Sequence, residues 1–252
     1  MKNTRQYNVL GFMSLYYGKE YLRESLISIK NHVDTMVIAY TPNPSHGYAT
    51  RVQCPDTEEE LYKIALEVFG DRLIWDKQEH YHGEAQHRNA KYKYTPGYSL
   101  CLTIDADEVF KEDEIKGALD YAFNNPERHF GINGYKNFWR SFDWICTDGF
   151  RPFRIENLNN DNVAQNINCP LTVYHFSTCQ SEYIMRFKYK VFGHAAELKP
   201  DWLNNTYYRW TPENNFGDLH CVSINLWNPV PFDKKTLPEY LQVHENYDKK
   251  LV

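Results

Sequence analysis

The first 104 residues alternate short apolar runs with stretches of helical period, and this alternation confines the chain to an α/β architecture. Val9 to Leu15 reads as a buried strand. Tyr21, Leu22, Ser25, Leu26 and Ile29 then recur on one helical face. Met36 to Tyr40 is a second apolar run, closed by the breaker Thr41-Pro42-Asn43-Pro44. Asp56-Thr57-Glu58-Glu59 opens a helix whose Leu61, Ile64, Ala65 and Val68 share a face, and Gly70-Asp71 stops it. Arg72 to Trp75 predicts a third strand and Glu84 to Tyr94 a third helix. After the Pro96-Gly97 turn, Tyr98 to Ile104 predicts a fourth strand. Strands joined by helical crossovers call for a mostly parallel, doubly wound central sheet flanked by helices.

Beyond residue 125 the pattern loosens. His129 to Trp139 and Trp144 to Ile155 predict strands of a hairpin or mixed sheet, and Thr172 to Phe176 another strand. Glu156 to Asn168, rich in Asn, predicts an exposed loop. Ser181 to Phe192 predicts a helix of mixed basic and aromatic residues. The last fifty residues show no clear period until a terminal helix from Pro238, an irregular extension. Neither a repeat nor a linker interrupts the chain, so residues 1–252 read as one domain with halves 1–125 and 126–252. Apolar residues make up 42 %, which excludes a disordered chain. With 28 Lys and Arg against 33 Asp and Glu, the formal charge of −5 excludes coating of nucleic acid by bulk charge, though not a local basic groove. Six single cysteines, no secretory segment and no membrane span place the chain in a cytoplasm, bacterial or virus-infected.

The chemistry concentrates where Leu102-Thr103-Ile104 runs into Asp105-Ala106-Asp107-Glu108. Parallel sheets bind ligands beyond the carboxyl ends of their strands. Carboxylates at i and i+2 of extended chain converge on one hard cation, and Mg²⁺ or Mn²⁺ takes such oxygens together with phosphate. The alternative is that Asp105 or Asp107 caps the helix starting near Lys111. A cap needs one acid, and three acids repel one another unless a cation offsets them. An EF-hand is excluded because its Gly and spacing are absent. His80, His82 and His87 have no Cys or acid at metal spacing.

These residues resemble a family. Asp105-Ala106-Asp107-Glu108 after a buried strand looks like the DXD signature of GT-A-fold, family 2-like glycosyltransferases. Glu84 to Ala90 is similar to the family's stretch ending in an Arg-Asn pair, here Arg88-Asn89. Phe12 to Ile29 resembles its first strand and helix, and Val173 to Phe176 with the following helix its late His-bearing segment. The resemblance covers residues 7–125 well and 130–195 more loosely, and it stops near 200. It implies that residues 1–125 bind a nucleotide-sugar donor, a UDP-sugar foremost, and that residues 126–252 bind the acceptor. It implies that Asp107 holds Mn²⁺ or Mg²⁺ on the diphosphate and that His175 is the distal metal ligand. Asp105, itself within reach of the metal, would contact the ribose or the sugar. Glu108 would orient the site, and Arg88 with Asn89 would steady the nucleotide. The bland reading of His175 is a satisfied core histidine. The family's base-reading Asp after the second strand is missing, and stacking by Tyr40 or a contact from Asp76 would replace it.

The reaction implied is sugar transfer to a hydroxyl with inversion, the metal neutralising the leaving diphosphate and a carboxylate base taking the proton. Asp148, in an Asp-Gly turn, and Glu197 are the candidate bases; turn chemistry and a solvated surface acid are their bland readings. The acceptor would be a saccharide or glycoconjugate. Basic and aromatic residues interleave at 87–94, 135–140 and 186–190, which also suits a hydroxymethylated base of phage DNA extruded into a pocket. The aromatics at 135–144 and 202–227 fall outside the periodic pattern, where an acceptor would stack. Rival classes are another metal–phosphate enzyme, which the missing Gly-rich phosphate loop disfavours, and a non-catalytic sugar-binding module.

Overall fold

A computed structural model describes residues 5–44, 53–146, 152–161, 168–191, 193–224 and 226–251. The first half follows the alternation: β1 (Val9–Leu15), α1 (Lys19–Ile29), β2 (Thr35–Tyr40), α2 (Glu58–Phe69), β3 (Leu73–Lys77), α3 (Glu84–Asn89) and β4 (Leu100–Thr103). β1 is flanked by β2 and β4, and β3 lies outside β2, all parallel. Phe12 thus stands beside both Val37 and Thr103. Side chains on both faces of β1 and β2 are buried, which is why these strands read as unbroken apolar runs. α1 turns Tyr21, Leu22, Ser25, Leu26 and Ile29 inward, and α2 starts on a capping box between Thr57 and Glu60. α3 is shorter than its sequence pattern, because the chain tightens into a 3₁₀ turn over Ala90–Lys93.

The second half adds β5 (Glu108–Phe110), α4 (Glu112–Phe123), β6 (His129–Trp139), β7 (Trp144–Cys146), β8 (Phe153–Asn157), β9 (Asn168–Thr178), α5 (Glu182–Val191), β10 (Val230–Pro231) and α6 (Glu239–Gln242). β8 joins β4 to β6 through antiparallel pairs, extending the parallel block into one ten-stranded sheet. β9 runs parallel to β6 on the edge away from β7 and β8, and β5 pairs antiparallel to β9. β5 carries no periodic signal because it is three residues long, yet its register sets Glu108 opposite His175.

Two expectations change. Glu156 and Asn157 belong to β8 and are buried instead of opening a surface loop. The Glu156 carboxylate is held by Lys91 at 2.8 Å and Arg128 at 2.7 Å, and the Asn157 amide donates to the Ala122 carbonyl. Such partners offset the desolvation that would otherwise keep these side chains in water. The late tryptophans do not await an acceptor either. Trp139, Trp202, Tyr207, Trp210 and Trp227 pack edge to face in a core of their own. The terminal helix is a single turn that buries Leu241. Among the described residues no helix is long and apolar enough to cross a membrane.

Candidate active site

Asp105 and Asp107 lie in the turn between β4 and β5 and Glu108 opens β5, at the carboxyl end of the parallel block. The turn closes on itself: Glu108 N–H donates to the Asp105 carbonyl at 3.1 Å, and Asp105 N–H donates to Glu108 Oε2 at 3.2 Å. Ser25 of α1 donates to the Asp105 carbonyl at 3.0 Å, and Phe176 N–H of β9 to the Asp107 carbonyl at 2.8 Å. Gly18, before α1, has φ of 135°, and a Cβ there would stand 2.6 Å from the Ala106 side chain. Only glycine lets the helix start approach this closely. Asp56 accepts from the N–H groups of Gly18 and Lys19 at 2.7 and 2.9 Å and fixes the approach. None of the acids caps α4, which has Lys111 at its N-cap and no side-chain cap.

Each acid has a protein cation. Arg88 of α3 reaches Asp105 with Nη1 at 3.2 Å, while its Nε donates to Glu84 at 2.7 Å. Arg154 of β8 donates to Asp105 Oδ2 at 2.7 Å and, through Nε, to Glu108 Oε2 at 2.9 Å. Glu108 has no exposed surface, and it also accepts from the Tyr135 hydroxyl at 2.5 Å. Lys188 of α5 donates to Asp107 Oδ2 at 3.0 Å and to the Ser177 carbonyl at 3.1 Å. Gln180 Nε2 reaches the same Asp107 oxygen at 3.2 Å. Three carboxylates thus face three cations, so the repulsion among the acids is offset without an added ion, and the charge argument for a metal falls. Burial alone would raise the Asp105 carboxyl, but Arg154 and Arg88 together hold it far below the ordinary range. Burial likewise works against Asp107, and Lys188 with His175 keeps its carboxyl low. Both are anions at neutral pH.

His175 of β9 stands over this turn. Its Nδ1 lies 2.7 Å from Asn137 Oδ1, so Nδ1 carries the proton and Nε2 turns its lone pair toward Asp107 Oδ1, 3.7 Å away. Burial pushes the imidazole below the usual histidine range against the pull of the Asp107 and Glu108 carboxylates, and the ring stays neutral. Two acceptors that face each other fit one divalent cation bonded to both. Among the described residues no group of three or more His, Cys, Asp and Glu forms a metal cage. Such an ion would be held by Asp107 and His175, and phosphate oxygens of a substrate would complete its shell.

The remaining expected residues scatter. Asn89 is exposed at the end of α3. Tyr40, 4 % exposed, stacks on Trp75 with ring centres 5.2 Å apart and presents no free face to a base. Asp76 is nearly buried at the end of β3; burial raises its carboxyl, but bonds from Gln78, Tyr94 and Lys93 bring it below the ordinary value. Glu197 is exposed and pairs with His194 at 3.0 Å. Asp148 lies outside the described residues. The basic side chains of the interleaved stretches are largely engaged. Lys91 pairs with Glu156, Lys93 with Asp76 and Arg186 with Glu182, and buried Arg140 donates to the carbonyls of Tyr207 and Trp210. Sequence reasoning missed Arg154, Tyr135, Asn137, Gln180 and Lys188 as members of the site. The signal for Arg154 was a lone cation alternating with Phe153 and Ile155 in a buried strand.

No protein-family model matches the sequence, and no curated protein matches it. Among solved structures, S. aureus TarS 1-349 in complex with UDP-GlcNAc aligns with a TM-score of 0.39 and 16 % identity, over 52 % of this chain and 35 % of that one. Glucosyl-3-phosphoglycerate synthase from Mycobacterium tuberculosis, in complex with Mg²⁺ and UDP, aligns at 0.35 and 11 % identity, over 54 % of this chain and 44 % of that one. The chain spans less than half the length of either structure. Similarity at this level does not establish a shared activity.

Proposed function

We propose that this chain transfers a sugar from a nucleotide-sugar donor, a UDP-sugar foremost, to a hydroxyl of a saccharide or glycoconjugate. The observation that carries the reading is the acid turn at the carboxyl end of β4, with Asp107 and His175 facing one point and cations around it. Diphosphates bind at this end of a parallel sheet. Mn²⁺ or Mg²⁺ between Asp107 and His175 would supply Lewis-acid charge to the departing diphosphate. The chain's own residues do the rest. Arg88 offers a partly exposed guanidinium to phosphate oxygens or ribose hydroxyls. Arg154 and Tyr135 hold Glu108 rigid beneath the turn and so fix where Asp105 and Asp107 point. Asn137 keeps His175 in the tautomer whose Nε2 accepts.

The finer assignments follow the resemblance: inversion at the anomeric carbon, Asp148 or Glu197 as base, and residues 1–125 and 126–252 as donor and acceptor halves of one domain. Tyr40 is buried against Trp75, so of the two base-contact candidates Asp76 stands nearer to that role.

The test is a thermal-shift panel of sugar nucleotides with and without Mn²⁺. Stabilisation by one donor that is enhanced by metal and abolished in Asp107→Ala is the expected result. Stabilisation by free sugar alone, indifferent to metal and to Asp107→Ala, would replace the transferase with a sugar-binding module.

A further inference from the structure

The geometry points to Lys188 as a second, built-in cation for the donor: its ammonium binds the diphosphate of a nucleoside diphosphate directly, independently of any divalent ion. This deepens the donor site proposed above and rests on it. Of the three cations around the acids, Arg154 is spent on Asp105 and the buried Glu108 and is itself nearly buried. Lys188 is different. An ammonium has three hydrogens, and the bonds to Asp107 and the Ser177 carbonyl use two of them. Its side chain is 12 % exposed and stands beside Asp107 and His175, both 18 % exposed, so the charge borders the space a diphosphate would enter. Asp107 does not depend on Lys188 alone, because Gln180 donates to the same oxygen. The ammonium can therefore turn toward an incoming phosphate while the carboxylate keeps a partner.

A second observation marks the same place. Asn137 Nδ2 is buried without a hydrogen-bond partner, and it belongs to the amide whose oxygen holds His175. A buried amide N–H left without a partner beside the site calls for an acceptor, and phosphate oxygens are acceptors. A compact ammonium on a flexible stem meets a phosphate as a point charge, beside the planar Arg88 fork that pairs with phosphate oxygens or ribose hydroxyls. α5 delivers this charge from 81 residues beyond Asp107 in the sequence.

Calorimetric titration with UDP, in EDTA and in Mn²⁺, tests the assignment on wild type, Lys188→Met, Lys188→Arg and Asp107→Asn. The wild type is expected to bind UDP in EDTA. Lys188→Met is expected to weaken binding about ten- to hundred-fold in both media, the range of a charge-assisted hydrogen bond. Lys188→Arg is expected to stay within about three-fold, because it keeps the charge. Asp107→Asn, which frees the ammonium, is expected to bind UDP in EDTA at least as tightly as wild type and to lose the gain from Mn²⁺. Lys188→Gln, which keeps a donor but no charge, carries the comparison if the methionine variant melts below the assay temperature. Equal UDP affinity for Lys188→Met and wild type in both media overturns the role of Lys188 and leaves the donor site standing. Equal losses in Lys188→Met and Asp107→Asn in EDTA also overturn it, since Lys188 would then act only by holding Asp107. Absence of UDP binding by the wild type in both media overturns the donor site itself.

Discussion

Replacing Arg154 with methionine isolates the ion network from everything around it. Methionine keeps much of the stem's volume and removes the guanidinium, so the cavity cost is small and the electrostatic cost dominates. Glu108 has no exposed surface, and Arg154 supplies two of its bonds, through Nε and Nη2. Without them the carboxylate keeps only the Tyr135 hydroxyl and the Asp105 N–H. Breaking one side of a buried pair costs about 3–5 kcal/mol, because the partner charge stays buried and unpaired. At roughly 2.1 cal/mol/K per residue, a chain of 252 residues has an unfolding entropy near 0.5 kcal/mol/K. The expected fall in Tm is therefore about 6–10 °C by circular dichroism. Glu108→Gln in the same chain removes the orphaned charge, so the double variant is expected to recover more than half of the loss, a coupling that a double-mutant cycle in urea measures directly. A loss below about 1 kcal/mol for Arg154→Met, or a double variant worse than the sum of the singles, would refute the reasoning that this pair neutralises the turn.

Two further outcomes follow from the same contacts. Burial lowers the His87 imidazole below its ordinary value, and the neutral ring stacks on Tyr81 and bonds the Ala39 carbonyl at 2.7 Å. The unfolded chain then takes up protons first as pH falls through about 6.5, so this histidine costs stability from there down to its folded value; His87→Phe is expected to shrink the difference in urea midpoint between pH 7.5 and pH 5.5, and an unchanged difference would show that other histidines carry it. Gly18→Ala places a Cβ 2.6 Å from Ala106 at φ 135°, with an expected loss of about 1–3 kcal/mol. Adding Ala106→Gly should restore the steric part and leave the backbone part, and full recovery in thermal melts would mean that strain at Gly18 is negligible.

The parallel block was legible because its signals are local: each apolar run is one strand, and each helical face lies within eleven or twelve consecutive residues. The acids were legible for the same reason, being contiguous at the end of β4. What the sequence did not show is the company they keep. Arg88, Arg154 and Lys188 lie 17, 49 and 81 residues from their partners; the α3 crossover into β4 brings in the first, the pairing of β8 with β4 the second, and the contact of Lys188 of α5 with the Ser177 carbonyl of β9 the third. β5 is invisible in the sequence because three residues carry no period, and Glu156 looks like a loop residue there because its compensating Lys91 and Arg128 are distant in the chain. The late tryptophans were misplaced because an aromatic core built from irregular chain has no period to read. A cluster of carboxylates in a sequence states only that positive charge is required nearby. Whether that charge is a metal or a lysine depends on long-range contacts, and here protein cations already balance the acids. The case for a divalent ion therefore rests on the two lone pairs that Asp107 and His175 turn toward each other and on nothing in the charge count.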